Sequence, residues 1–312
     1  MRFFTWLSLF ILSTLIMVVE PIAVVGHIAL DRIITCGGER LQLGGPPTYV
    51  SLINHLLGGS LAAATKVGGD FPEAYASDLA SRGLDIRGFT VPTAKTTRFV
   101  LDYTRAERRL GFDSLCDPID PRDVVGLPEA VILAPIVQEV PKETLTALDS
   151  SVLALDPQGF VRRLEQGGSI SLHPWLDLDL LHRVSVFKAS ERELRLVAGV
   201  GGWEGIERLS KLGIEVVIET RGRDGACIRH GDRRIIVPAH LGDTVDMTGA
   251  GDAFITGFFT YYALGEDIEW CGAVGSASAS AVVETVGPSI KVSRSELFER
   301  AEKVRSGIRL LT

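Results

Sequence analysis

Six short apolar runs limit what this chain can fold into: IAVVG (22–26), LAAATKVG (61–68), AVILAP (130–135), SVLALD (151–156), VSVFKA (184–189) and IEVVIET (214–220). Most are continuous rather than alternating, as in strands buried on both faces of a parallel sheet. Between them lie helical patterns, PEAYASDLASRG (72–83), SERELRLVAG (190–199) and GIERLSKLG (205–213), several of which end at glycine, a common helix stop. This alternation predicts a doubly wound α/β fold, a parallel sheet flanked by helices.

Two segments break the rhythm. LDRIITCGGERLQLGG (30–45) reads as strand, Gly-Gly turn and strand, and TTRFVLDYTRAERRLGF (96–112) as a second hairpin with alternation from Thr97 to Tyr103. Antiparallel hairpins inserted in a parallel protein predict a small β lid over a cleft. With no internal repeat or long linker, residues 21–312 are expected to form one domain carrying lid hairpins near 30–45 and 96–112.

The formal net charge of −7 argues against a nucleic-acid partner, which requires a basic footprint. RAERRL (105–110) is short and mixed in sign, and reads as a solvated face. Cys36, Cys116, Cys227 and Cys271 are scattered, with no CxxC, so no zinc site is expected. They read as free thiols in a reducing, cytoplasmic compartment. His27 follows the first strand and reads as a structural histidine before a site residue.

The N-terminal stretch FFTWLSLFILSTLIMVV holds 17 uncharged residues behind Arg2. By composition it resembles a signal peptide or a minimal membrane anchor. No small-x-small cleavage pattern precedes Glu20, and Met17 opens a normal start for an α/β enzyme. Residues 1–20 are therefore read as an apolar extension from an upstream start site, with an anchor as the alternative. Membrane contact is expected only if that extension belongs to the native protein.

The chemistry concentrates in DTVDMTGAGDAF (243–254). At its plainest, Gly-Ala-Gly is a tight turn entering a buried helix, DAFITGFFTYYALG, with Asp252 as an N-terminal cap. The alternative uses the first amides of that helix, which lack intrahelical acceptors and carry the positive end of the dipole. Glycines let the backbone approach an anion closely. A dinucleotide fingerprint would require a third glycine near Phe254 and Ile255 and a position after the first strand, and no Walker loop exists in the chain. A carboxylate placed on an anion cradle makes sense if Asp252 faces an attacking hydroxyl while the amides hold a transferring phosphoryl group.

At these residues the chain resembles the PfkB (ribokinase-like) carbohydrate kinases, from Val24 onward. VVGHIALD is similar to the family's first strand ending at a substrate-binding aspartate, here Asp31. LGGPPTYVSL (43–52) resembles its Gly-Gly motif, with Gly44 and Gly45 against the substrate, and KVGGDF (66–71) its next landmark. ETRGRDGACI (219–228) resembles the T-x-G-x-x-G segment at the nucleotide, giving Thr220, Gly222 and Gly225. DMTGAGDAF is similar to the signature D-T-x-G-A-G-D, which implies Gly249, Ala250 and Gly251 as anion hole and Asp252 as base. SASASAVVETVGP (276–288) resembles the helix and turn beside the adenine.

The resemblance implies a ribokinase-like fold, ATP as donor and Mg²⁺ as metal. In SERE, Ser190 stands at the nucleotide where asparagine is usual, and Glu193 is retained for Mg²⁺, through water. Met247 replaces the signature's first threonine, and Tyr49 stands near the substrate where sugar kinases often show asparagine. Asp246 and Thr248 are candidates for a monovalent-cation loop taking K⁺. These departures, with LAPIVQEVP (133–141), DPQGFVR (156–162) and TTRFVLDY (96–103), resemble archaeal myo-inositol kinase-type members most. A ring of hydroxyls calls for carboxylates, amides and guanidinium groups, so Asp31, Gln158 and Arg98, reaching down from the lid, are expected at the acceptor. The expected function is ATP-dependent phosphorylation of a polyol hydroxyl, on a cyclitol such as myo-inositol or a sugar. The alternatives are a sugar, sugar-phosphate or nucleoside kinase of the same family, or a non-catalytic ligand-binding relative. An exposed lid edge would invite pairing into a homodimer.

Overall fold

The computed structural model describes residues 20–102, 104 and 109–311. The extension preceding Glu20 and most of RAERRL lie outside them. No helix among the described residues is long and apolar enough to cross a membrane.

The main sheet runs in the order Arg309–Leu311, Arg233–Val237, Ala226–His230, Val216–Thr220, Val186–Ser190, Val152–Leu155, Ala130–Leu133, Ile22–Val25 and Leu61–Ala64. From Val216–Thr220 through Leu61–Ala64 every neighbouring pair is parallel. The first three strands of the order pair antiparallel, extending the sheet at one edge.

Unbroken apolar runs follow from this placement. Ile22 and Val24 enter one core while Ala23 and Val25 enter the other, so neither face tolerates an unpaired polar side chain. Helices Pro46–Leu57, Ala250–Ala263, Ile268–Val283 and Arg294–Ser306 contribute to the first core. Glu191–Ala198 and Gly202–Ser210 contribute Leu194, Val197, Ile206 and Leu209 to the second. Phe254, Phe258, Phe259 and Tyr261 anchor Ala250–Ala263 in the interior, each worth about 1.5–3 kcal/mol of burial. Packing therefore fixes this helix although no side chain caps its first turn.

The two hairpins join into one four-stranded sheet, in the order Gly38–Gly44, Ala29–Thr35, Arg98–Asp102 and Arg109–Ser114. Each hairpin is antiparallel, and Ala29–Thr35 meets Arg98–Asp102 in parallel. A further hairpin, Arg162–Leu164 with Ile170–Leu172, approaches this sheet through Phe112 N–H donating to Gly168 O at 2.7 Å.

His27 sits where the main sheet hands over to the small one. Its Nδ1 accepts from Thr97 Oγ1 at 2.8 Å and its Nε2 donates to the Asp117 carbonyl at 3.1 Å. The fully buried Glu139 accepts from the amides of His27, Ile136 and Val137. Burial lowers the imidazole pKa, and the ring pins the junction away from the cavity described next. Cys36, Cys116, Cys227 and Cys271 are free thiols.

Candidate active site

Parallel strands deliver their carboxyl ends to one edge of the sheet, where open α/β proteins bind ligands. A cavity of about 420 Å³ opens there, bounded by the strand ends at Asp156, Ser190 and Thr220, the small sheet and the first turn of Ala250–Ala263.

That first turn begins at Gly249, whose φ of 79° is left-handed, a region costly for residues with a Cβ. A methyl group on Gly249 would also stand 2.2 Å from the ring of Tyr49. Ala250 N–H turns back to the Met247 carbonyl at 3.3 Å. Gly251 and Asp252 follow in the first turn, where amides lack intrahelical acceptors. Asp252 is half-buried and lines the cavity. It is not a cap, because the cap position belongs to Gly249 and no side chain closes it. Burial first, then the charge of Asp156, pushes its carboxyl up to about 7, opposed by Lys188 and Arg162.

Of the expected acceptor residues, Asp31, Gly45, Tyr49 and Gln158 line the cavity. Gly44 stands behind Asp31, so close that an added methyl would be 2.2 Å from its Oδ2. Burial, with Asp31, Asp252 and Asp246 nearby, pushes the Tyr49 phenol far above its usual range. Gln158 Oε1 accepts from Arg162 Nη2 at 2.8 Å.

Arg98 departs from expectation. Its guanidinium pairs with Asp70 at 3.1 Å and Asp113 at 3.8 Å, and it is not among the residues lining the cavity. Two carboxylates beside its own strand hold it there. The cation at the acceptor end is Arg162, which also donates to the Ile136 carbonyl and lies over the Phe99 ring, 5.9 Å from its centroid. Phe99, Leu101, Leu110 and Ile136 form an apolar wall above it.

At the other end, Thr220, Gly222 and Gly225 line the cavity with Ala239, Leu241, Ala279 and Val283. Gly225 carries φ 82°, and a methyl there would meet the Val237 carbonyl at 2.0 Å. Ser190 and Glu193 also line it, locked in a capping box: Glu193 Oε2 accepts from Ser190 N–H at 2.8 Å and Oγ at 2.7 Å. Serine at this position thus has a local reason, helix capping. Asp246 Oδ1 accepts from Thr248 N–H at 2.9 Å and its Oδ2 from Gly287 N–H at 3.4 Å, so this carboxylate staples the loop. Thr248 lines the cavity and Asp246 does not. Among the described residues no group of three or more His, Cys, Asp or Glu could hold a metal.

Three site residues were not singled out from the sequence, Arg162, Lys188 and Asp156. Lys188 Nζ donates to Asp156 Oδ2 at 2.6 Å, both side chains being 5% exposed. The detectable signal was a lysine inside the apolar run VSVFKA, since a charge in a doubly covered strand must find a partner.

The chain matches the family described as pfkB family carbohydrate kinase over residues 11–294. It is 31% identical over 305 residues to an inositol 3-kinase of Oryza sativa subsp. japonica, covering 90% of this chain and 74% of that protein. It is 26% identical over 286 residues to a cytidine kinase of Thermococcus kodakarensis, covering 85% and 97% respectively. Its fold is similar to that of a pyrophosphate-dependent kinase in the ribokinase family, solved with a pyrophosphate analog and myo-inositol. The TM-score is 0.76 at 23% identity, over 89% of this chain and 99% of that one.

Proposed function

The chain belongs to the pfkB family of carbohydrate kinases and is a kinase, and we propose that it transfers the γ-phosphoryl group of ATP to a hydroxyl of a small polyol, myo-inositol being the leading candidate. One observation carries this reading: a single cavity joins Asp31 and Gln158 at one end to Thr220 and Gly225 at the other, with Asp252 and the Gly249–Gly251 turn between them.

The acceptor's ring lies with its hydroxyls toward Asp31 and Gln158 and its C–H face against Phe99 and Leu110. The Gly251 and Asp252 amides, at the positive end of the helix dipole, stabilise charge on the transferring phosphoryl oxygens. Asp252 accepts the hydroxyl proton as the oxygen–phosphorus bond forms and the bond to the ADP leaving group breaks. A base near pH 7 suits that step, being ionised in part while still able to hold the proton. Glu193 is the carboxylate that would hold Mg²⁺ through water; when bound, the ion neutralises charge between donor phosphates. K⁺ is assigned no step; Asp246, its candidate ligand, accepts from the Thr248 and Gly287 amides, each carboxylate oxygen keeping a further lone pair.

ATP is favoured over pyrophosphate by the apolar slot of Ala239, Leu241, Ala279 and Val283 next to Gly225. A purine ring fills it, and pyrophosphate has nothing to put there. A nucleoside acceptor is the second reading, favoured by the apolar wall of Phe99, Leu101, Leu110 and Ile136, which also suits a base. The test is product formation by the purified protein with ATP or pyrophosphate against myo-inositol, ribose, fructose, fructose 6-phosphate, adenosine and cytidine. Turnover of myo-inositol with ATP supports the proposal. Turnover of cytidine alone moves the acceptor class to nucleosides, and turnover with pyrophosphate alone removes ATP.

A further inference from the structure

The pair Lys188–Asp156 has a position that stability alone does not call for. Lys188 is flanked in its strand by the buried Phe187 and Ala189, where an apolar side chain would serve. Buried ion pairs are often no more stabilising than a well-packed apolar replacement. Its ammonium nevertheless reaches the edge of the sheet, so close beneath the anion cradle that a methyl on Gly251 would stand 2.6 Å from Nζ. Asp156 in turn accepts from Gln158 N–H at 3.1 Å, so a chain of contacts runs from cradle to acceptor wall.

We propose that Lys188 and Asp156 are positioning residues for phosphoryl transfer, their ion pair holding a cation against the Gly251 turn and setting the charge state of Asp252. Asp252 is faced by Asp156 and Lys188 from two neighbouring strand ends, by Arg162 from the small hairpin, by Glu193 from the helix Glu191–Ala198 and by Tyr49 from Pro46–Leu57. Its own helix adds no other charged side chain. Lys188 favours the ionised carboxyl and Asp156 opposes it, so the two act as opposed settings of one base. The ammonium also adds positive charge beneath the oxygens that gain charge during transfer.

This inference rests on Asp252 being the acceptor's base, and the experiment separates the two. Rates of myo-inositol phosphorylation by ATP are measured against pH for the wild type, Lys188→Met, Asp156→Asn, the double variant and Asp252→Asn, with adenosine or ribose replacing myo-inositol if those are the acceptors turned over. Lys188→Met is expected to move the acid limb of kcat/KM upward by about one pH unit or more and to lower kcat at least about tenfold. Asp156→Asn is expected to move the same limb downward. Limbs that stay in place, or move in the same direction, overturn the proposal while leaving the base role intact if Asp252→Asn is inactive. An active Asp252→Asn removes both. Should either single variant fail to fold, the double variant decides, because it leaves no unpaired buried charge. A folded double variant with kcat lowered at least about tenfold sustains the proposal, and one with wild-type kcat overturns it.

Discussion

Replacing Asp252 by asparagine should make the protein more stable at alkaline pH while disabling it. Folding carries this carboxyl from the ordinary aspartate value of 3.8 to about 7, chiefly by burial and then by the charge of Asp156. Because the folded pKa lies above the unfolded one, folding favours the protonated form. The contribution is fully favourable below 3.8 and is lost as pH rises through about 7. At 1.36 kcal/mol per pH unit the penalty cannot exceed about 4 kcal/mol, and the water that reaches a half-buried group reduces it to about 1–3 kcal/mol. The neutral amide has the same shape and escapes this cost. Urea unfolding at pH 8 should therefore show Asp252→Asn to be more stable than the wild type by about 1–3 kcal/mol, equivalent to roughly 2–5 °C in Tm. The advantage should shrink at pH 5. An equal difference at both pH values, or a variant less stable at pH 8, would refute the electrostatic origin of the raised pKa.

Two further substitutions test the central glycine turn and the nucleotide end of the cavity. Gly249→Ala forces a Cβ into a left-handed position and against the Tyr49 ring; a loss of about 2 kcal/mol or more is expected in urea unfolding, along with loss of transfer, and a variant with wild-type stability and rate would show that the turn can relax. Ala279→Phe fills the apolar slot beside Gly225; the KM for ATP should rise about 10- to 100-fold, the equivalent of 1–3 kcal/mol of overpacking, and an unchanged KM would mean that no purine sits there.

The parts of the fold that could be read were those in which local pattern and burial agree. Ile22–Val25 and Val216–Thr220 are uninterrupted apolar runs because helices cover both sides of them. Ala226–His230 and Arg233–Val237, short strands with charged residues on either side of the turn that joins them, carry no such pattern. One small hairpin was legible from its Gly-Gly turn and the other from the alternation beginning at Thr97, whereas the parallel pairing of Ala29–Thr35 with Arg98–Asp102 joins segments more than 60 residues apart in the chain.

The site divides similarly. Gly249, Gly251 and Asp252 are neighbours in sequence and could be read together. Asp156 and Arg162 share the segment DPQGFVR, but Lys188 comes from a separate strand and meets them only in space. Arg98 was expected at the acceptor as a guanidinium reaching down to a ring of hydroxyls, but Asp70 and Asp113, which no local pattern connects to it, hold its guanidinium. SERE, read for what it lacks as a metal motif, also has the S-x-x-E spacing of a capping box, which its hydrogen bonds display.

The most direct measurement of Asp252's role is transfer itself, followed as phosphorylated product by wild type and Asp252→Asn, with ATP affinity measured in parallel by titration. If Asp252 serves the acceptor hydroxyl and the neighbouring amides serve the phosphate, kcat falls about 10²- to 10⁴-fold while the Kd for ATP changes little. Transfer at the wild-type rate, or a loss traced wholly to weaker ATP binding, would contradict it.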